Sequence, residues 1–123
     1  MGKKPISILV LDDEESLVDI YVQVIPTYLP EFSFKIYTTK DGDEALRIIR
    51  TFQDEISLLV TDINHPGMGC LELLPIIKRD FPAMNILIVT ALGGIEQCEI
   101  LAEVMHKPVG LKDFVETVKK YIS

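Results

Sequence analysis

Asp12 and Asp13, Asp62, Thr90 and Lys107 each stand just past a short apolar run. Three carboxylates brought into one cleft repel each other, so either one takes up a proton or a cation holds them together. With no His or Cys among them, an oxygen-only ligand set suits Mg²⁺, which retains water and accepts phosphate oxygens. A carboxylate is also a nucleophile toward phosphorus and forms an aspartyl phosphate. The transition state of phosphoryl transfer spreads negative charge over its equatorial oxygens, so catalysis is positioning plus electrostatics. Mg²⁺ and the Lys107 ammonium would supply the positive charge, and the Thr90 hydroxyl would donate to an attached phosphoryl group.

Each residue also has an ordinary reading. Asp12-Asp13-Glu14-Glu15 precedes a helix, where acids favour the helix dipole, and Asp12 with Glu15 has capping-box spacing. Asp62 alone would be a loop carboxylate, Thr90 a β-branched strand residue, and Lys107 a solvated charge. His65 and His106 read as solvent-facing or structural, and Cys70 and Cys98 as small hydrophobes. The chemical reading needs the five residues at one end of one sheet.

The elements that must place them alternate between apolar runs and segments of helical period. Strands are expected at Ile6–Leu11, Phe32–Thr38, Ile56–Val60, Asn85–Val89 and Val104–His106. A helix from about Glu14 to Tyr28 presents Leu17, Val18, Tyr21, Val22 and Ile25, with Pro26 expected to kink or end it early. Asp41-Gly42-Asp43 caps a helix carrying Ala45, Leu46, Ile49 and Phe52. The next turns Leu71, Leu74 and Ile77 inward, and Pro75 costs it a hydrogen bond unless it lies in the first turn. The stretch 93–103 holds at most a short helix. The last helix, Gly110 to Ile122, places Leu111, Phe114, Val115, Val118 and Ile122 on one side. Five strands alternating with helices predict an α/β fold, a doubly wound parallel sheet covered on both faces. Ligands of such sheets sit beyond the carboxyl ends of the strands.

A chain of 123 residues fits one domain, residues 1–123, with enough core to need no disulfide or structural metal. Its net charge of −7 argues against nucleic-acid binding by this domain itself. The first apolar run is broken by Asp12 and Asp13, too short for a signal peptide or membrane span. The expectation is a cytoplasmic protein with reduced thiols and no membrane contact.

Ile8-Leu9-Val10-Leu11-Asp12-Asp13-Glu14, Leu58-Leu59-Val60-Thr61-Asp62-Ile63 with Pro66-Gly67-Met68, Ile88-Val89-Thr90-Ala91 and Lys107-Pro108 together resemble the bacterial two-component response-regulator receiver family. The resemblance covers almost the whole chain. It implies a flavodoxin-like sheet of strand order 2-1-3-4-5. It also implies Asp62 as phosphoacceptor, Asp13 as direct Mg²⁺ ligand, Asp12 helping through water, and the Asn64 backbone carbonyl completing the metal site. Lys107 would contact phosphoryl oxygens and Thr90 would be the switch hydroxyl. The donor would be a phosphohistidine on a sensor histidine kinase or histidine phosphotransfer protein, and the domain would not be an enzyme beyond its own phosphorylation and dephosphorylation.

Three departures from the family stand out. Val104 occupies a position, three before the lysine, where an aromatic is usual. Only 17 positions separate Thr90 from Lys107, roughly five fewer than usual or more than one helical turn, so the fourth helix is expected to be short, distorted or absent. That predicts a different partner surface or unusual dimerisation. His65 replaces a usually apolar residue, and Gly69-Cys70 stands where Asp-Gly is usual. The competing reading is a phosphorylation-independent interaction module, a pseudo-receiver. A flavin or nucleotide site would need a hydroxyl- or Gly-rich loop that is missing, and a dehalogenase-type phosphatase would need an aspartate where Asn64 stands.

Overall fold

The computed structural model describes residues 4–91 and 96–123. Its elements alternate: β1 (Ile6–Leu11), α1 (Glu15–Tyr28), β2 (Phe34–Thr39), α2 (Gly42–Thr51), β3 (Ile56–Thr61), α3 (Cys70–Asp80), β4 (Asn85–Thr90), α4 (Glu96–Glu99), β5 (Glu103–His106) and α5 (Leu111–Ile122). The five strands are parallel in the order β2-β1-β3-β4-β5. This is the flavodoxin-like arrangement expected from the sequence. Among the described residues the fourth helix is short, at four residues; residues 93–95 of the stretch expected to be ambiguous lie outside the described residues.

The central strands read as unbroken apolar runs because both of their faces are covered. Successive side chains point to opposite faces. Leu9 and Leu11, Leu59, and Ile86 and Ile88 pack with Ala45, Leu46 and Ile49 of α2, Leu73, Leu74 and Ile77 of α3, and Cys98 of α4. Ile8 and Val10, Leu58 and Val60, and Leu87 and Val89 pack on the other face against Tyr21 and Ile25 of α1 and Phe114, Val115 and Val118 of α5. Tyr21 stacks on Phe114 with ring centroids 4.3 Å apart, joining the two helices of that face.

Several details differ from the sequence expectation. Leu71 is 58% exposed, because the buried stripe of α3 is Cys70, Leu73, Leu74 and Ile77, and Leu71 lies off it. Val22 and Leu111 are likewise exposed, at the margin of α1 and in the first turn of α5. Pro26 does not end α1 early: the helix runs to Tyr28, held by buried Tyr21 and Ile25. Pro75 lies beyond the first turn of α3, yet the helix continues to Asp80. An interior proline costs about 3 kcal/mol. Burying Leu73, Leu74 and Ile77 contributes about 1.5–3 kcal/mol each, which offsets it.

The loop after β3 is fastened to the start of α2. Asp41 caps that helix, its carboxylate accepting from the Asp43 and Glu44 N–H groups. The Gly42 N–H donates to the Pro66 carbonyl at 2.9 Å, and the Met68 N–H donates to Asp43 Oδ2 at 3.2 Å. Gly67 turns the loop with φ 78°, a left-handed conformation open to glycine. A Cβ at Gly42 would collide with the Met68 carbonyl oxygen. Helix propensity alone favours alanine over glycine by about 1 kcal/mol, but the collision reverses the sign. Gly42→Ala should therefore lower stability by at least about 1 kcal/mol, read from the urea midpoint; a variant as stable as the parent would show that the loop is not fastened there.

Candidate functional site

Three of the four parallel ladders extend one hydrogen bond past the strands. Asp12 N–H donates to Thr39 O at 3.1 Å, Asp62 N–H to Leu11 O at 2.9 Å and Lys107 N–H to Thr90 O at 2.9 Å. These rungs fix the backbone of three charged residues at the carboxyl rim. The pleat then decides their side. Asp12, Asp62 and Lys107 continue the alternation of Val10, Val60 and Met105, all facing α1 and α5. Leu11 pairs with Thr61, so Asp12 and Asp62 follow as neighbours across β1 and β3. Thr90 continues the opposite alternation, that of Ile88, and is fully buried at the end of β4.

Lys107 closes the group. Its Nζ donates to Asp12 Oδ2 at 3.1 Å, Asp62 Oδ2 at 3.0 Å and Glu14 Oε1 at 2.8 Å. The second oxygens of the two aspartates face backbone. Asp12 Oδ1 accepts from Glu14 N–H at 2.9 Å, and Asp62 Oδ1 accepts from Ile63 N–H at 2.6 Å and Asn64 N–H at 3.4 Å. The capping-box geometry expected of Asp12 and Glu15 does not form: the first residue before α1 is Glu14, and its side chain does not cap the helix. Pro108 follows Lys107 through a cis peptide.

Charge governs the group. Burial pushes the Asp12 carboxyl above its ordinary range, against the pull of the Glu14 N–H and Lys107. Burial acts the same way on Asp62, but hydrogen bonds from Lys107 and Thr90 outweigh it and hold that carboxyl low. Lys107 loses solvation too, yet its three carboxylate partners raise its pKa. Asp62 thus stays ionised at neutral pH, the state a nucleophile requires.

Asp12, Asp13 and Asp62 each place a carboxylate oxygen within 4.8 Å of the others. With Glu14 at the rim, one lysine faces four carboxylates, and the surplus negative charge fits a hard divalent cation bound through oxygen. Asp13 is exposed, on the solvent side where such an ion keeps its water.

The family model of the response regulator receiver domain matches residues 8–119. The chain belongs to this family. Receiver domains are signalling domains of two-component systems; they interact with histidine kinases or phosphotransfer proteins and generally use Mg²⁺. This receiver domain is 26% identical over 95 residues to the transcriptional regulatory protein GlrR of Escherichia coli (strain K12), covering 77% of this chain and 20% of that protein. It is 30% identical over 89 residues to the cell cycle response regulator CtrA of Brucella ovis, covering 72% of this chain and 36% of that protein. The chain therefore spans about a fifth to a third of the length of these relatives. The crystal structure of a response regulator receiver domain protein from Clostridium thermocellum superposes with a TM-score of 0.80 at 26% identity, covering 94% of this chain and 93% of that one. The signal receiver domain of the putative Luxo repressor protein from Vibrio parahaemolyticus shares the fold, with a TM-score of 0.81 at 20% identity over 97% of this chain and 91% of that one.

Of the residues singled out in the sequence, Asp12, Asp62 and Lys107 are in direct contact, Thr90 is close enough to lower the Asp62 carboxyl, Asp13 joins the carboxylate cluster, and Asn64 follows in the loop. Sequence reasoning missed the contact of Glu14 with Lys107, because an acid next to a helix start has an ordinary explanation. It also treated Tyr21 only as core. Burial pushes the Tyr21 hydroxyl up to about 12, and the nearby charges of Lys107, Asp12, Asp62 and Glu14 act on it as well. Burial likewise pushes the Cys70 thiol up to about 12, with Cys98 adding to the shift, so Cys70 is protonated and behaves as a small hydrophobe.

A metal that binds only the folded state stabilises it by mass action. Adding millimolar Mg²⁺ should raise the melting temperature by several degrees, and chelation should reverse the rise. Asp13→Asn should remove most of this response; an unchanged response would place the ion elsewhere.

Proposed function

We propose that this receiver domain is a phosphoacceptor switch of a two-component phosphorelay, with Asp62 as the residue modified. The observation that carries the proposal is the meeting of Asp62 with Lys107 at 3.0 Å beside Asp12, with Thr90 buried at the end of β4. In this reading an Asp62 oxygen attacks the phosphorus of a phosphohistidine on a sensor histidine kinase or histidine phosphotransfer protein. The P–N bond breaks, its electron pair returns to the imidazole, and an acyl phosphate remains on Asp62. Lys107 balances charge on the transferring oxygens, and the Thr90 hydroxyl turns from carboxylate to phosphoryl oxygen. Asp12, Asp13, Asp62 and the Asn64 carbonyl would hold Mg²⁺, which supplies further charge neutralisation when bound. The domain catalyses its own phosphorylation and dephosphorylation and turns over no other substrate.

The same reading takes residues 1–123 as one receiver domain acting in the cytoplasm, with its thiols free. No helix among the described residues is long and apolar enough to cross a membrane. The charge of −7 supports a domain that does not itself bind nucleic acid.

Two observations favour a second reading, a pseudo-receiver that works without phosphorylation. Val104 offers no aromatic ring to follow Thr90, and among the described residues α4 has only four. Incubation with Mg²⁺ and acetyl phosphate, read by intact mass, separates the two. One phosphoryl group should be added to the parent and none to Asp62→Asn. A parent that gains no phosphoryl group from acetyl phosphate or any other donor would establish the pseudo-receiver instead.

A further inference from the structure

Lys107 has three N–H donors, and each already has an anionic partner. A phosphoryl group arriving on Asp62 replaces one carboxylate charge with three anionic or polar oxygens, which then compete with the remaining carboxylates for these donors. The three carboxylates are not equally placed. Asp12 and Asp62 are buried, and each is held from behind by backbone N–H groups. The Glu14 carboxylate is 56% exposed, and Lys107 is its only hydrogen-bond partner among the described residues. It sits at the start of α1, where a rotation of its own side chain carries it into water without moving the backbone. Yet its contact with Nζ is the shortest of the three, at 2.8 Å.

We infer that Glu14 is a positioning residue that occupies the phosphoryl group's place on Lys107 and yields it on phosphorylation. The inference rests on the phosphoacceptor reading above and extends it. In the unmodified domain Glu14 keeps Lys107 fully committed and pointed across the site. An incoming anion must displace the glutamate, so the exchange sets how readily the domain takes a phosphoryl group. Two simpler roles for Glu14 predict different behaviour. An acid that only favours the α1 dipole would affect thermal stability and leave anion binding alone. A charge that only repels anions through space would act wherever the charge is retained, whether or not it touches Nζ.

Glu14→Gln and Glu14→Asp separate these roles. Glutamine removes the charge. Aspartate keeps the charge on a stem one methylene shorter, which cannot hold Nζ from the same backbone position. The probe is fluoroberyllate with saturating Mg²⁺, its dissociation constant measured by calorimetry. The rate of phosphorylation by acetyl phosphate is followed in parallel by intact mass, and the Mg²⁺ affinity alone is measured as a reference. Releasing a half-exposed ion pair is expected to tighten fluoroberyllate roughly fivefold and speed phosphorylation by a similar factor. Both variants should show this gain, with Mg²⁺ affinity changed much less. If Glu14→Asp behaves as the parent while Glu14→Gln gains, the effect is through-space repulsion and the inference falls. It falls equally if neither variant differs from the parent. If the parent itself takes neither fluoroberyllate nor a phosphoryl group, the phosphoacceptor reading fails, and the inference goes with it.

Discussion

One ammonium set among carboxylates organises the functional end of this domain. Lys107 is 11% exposed and touches Asp12, Asp62 and Glu14. Removing an ion from water costs several kcal/mol, so a nearly buried lysine persists only where anions and hydrogen bonds repay that loss. Here the anions exceed the cation. Burial raises the Asp12 carboxyl while Lys107 helps hold Asp62 ionised, and the surplus of anions leaves the site receptive to further positive charge. The same imbalance makes the rim a place where small changes in ligation alter which groups Lys107 holds.

The scaffold converts chain separation into contact. Asp12 and Lys107 are 95 positions apart in sequence, yet each lies one step past a strand of the same sheet. Both faces of that sheet are sealed by apolar packing, so the strand ends have little freedom to slide. Polar groups of the site are satisfied from below by ladder hydrogen bonds and from the side by loop N–H groups. The fastening of the 62–69 loop to α2 extends this rigidity to the segment carrying Asn64.

Much of this was legible in the residues. Apolar runs closed by Asp12, Asp62 and Thr90 announced both the strands and the rim, since only strands covered on both faces run so continuously apolar. Asp41 announced its cap. The membership in the receiver family and the short fourth helix follow the same pattern. What stayed hidden depended on three dimensions. Leu71 looked inward because apolar character alone does not choose between adjacent positions of a helix; the stripe through Leu73, Leu74 and Ile77 does. Pro26 read as a helix stop because local propensity takes no account of the burial of Tyr21 and Ile25 around it. Glu14 carried no signal, because its partner lies at the far end of the chain and the spacing between them follows no local rule.

The alternation that turns Asp12, Asp62 and Lys107 to one side has an evolutionary corollary. A strand's side chains change face with every residue, so a one-residue insertion or deletion within β1 or β3 would invert everything downstream to the rim. It would send a rim carboxylate toward α2 and α3 and bring an apolar neighbour into its place. Substitutions in these strands can be graded by size and polarity, whereas indels there are all-or-nothing. Length variation should therefore be tolerated in the loops and not in these strands.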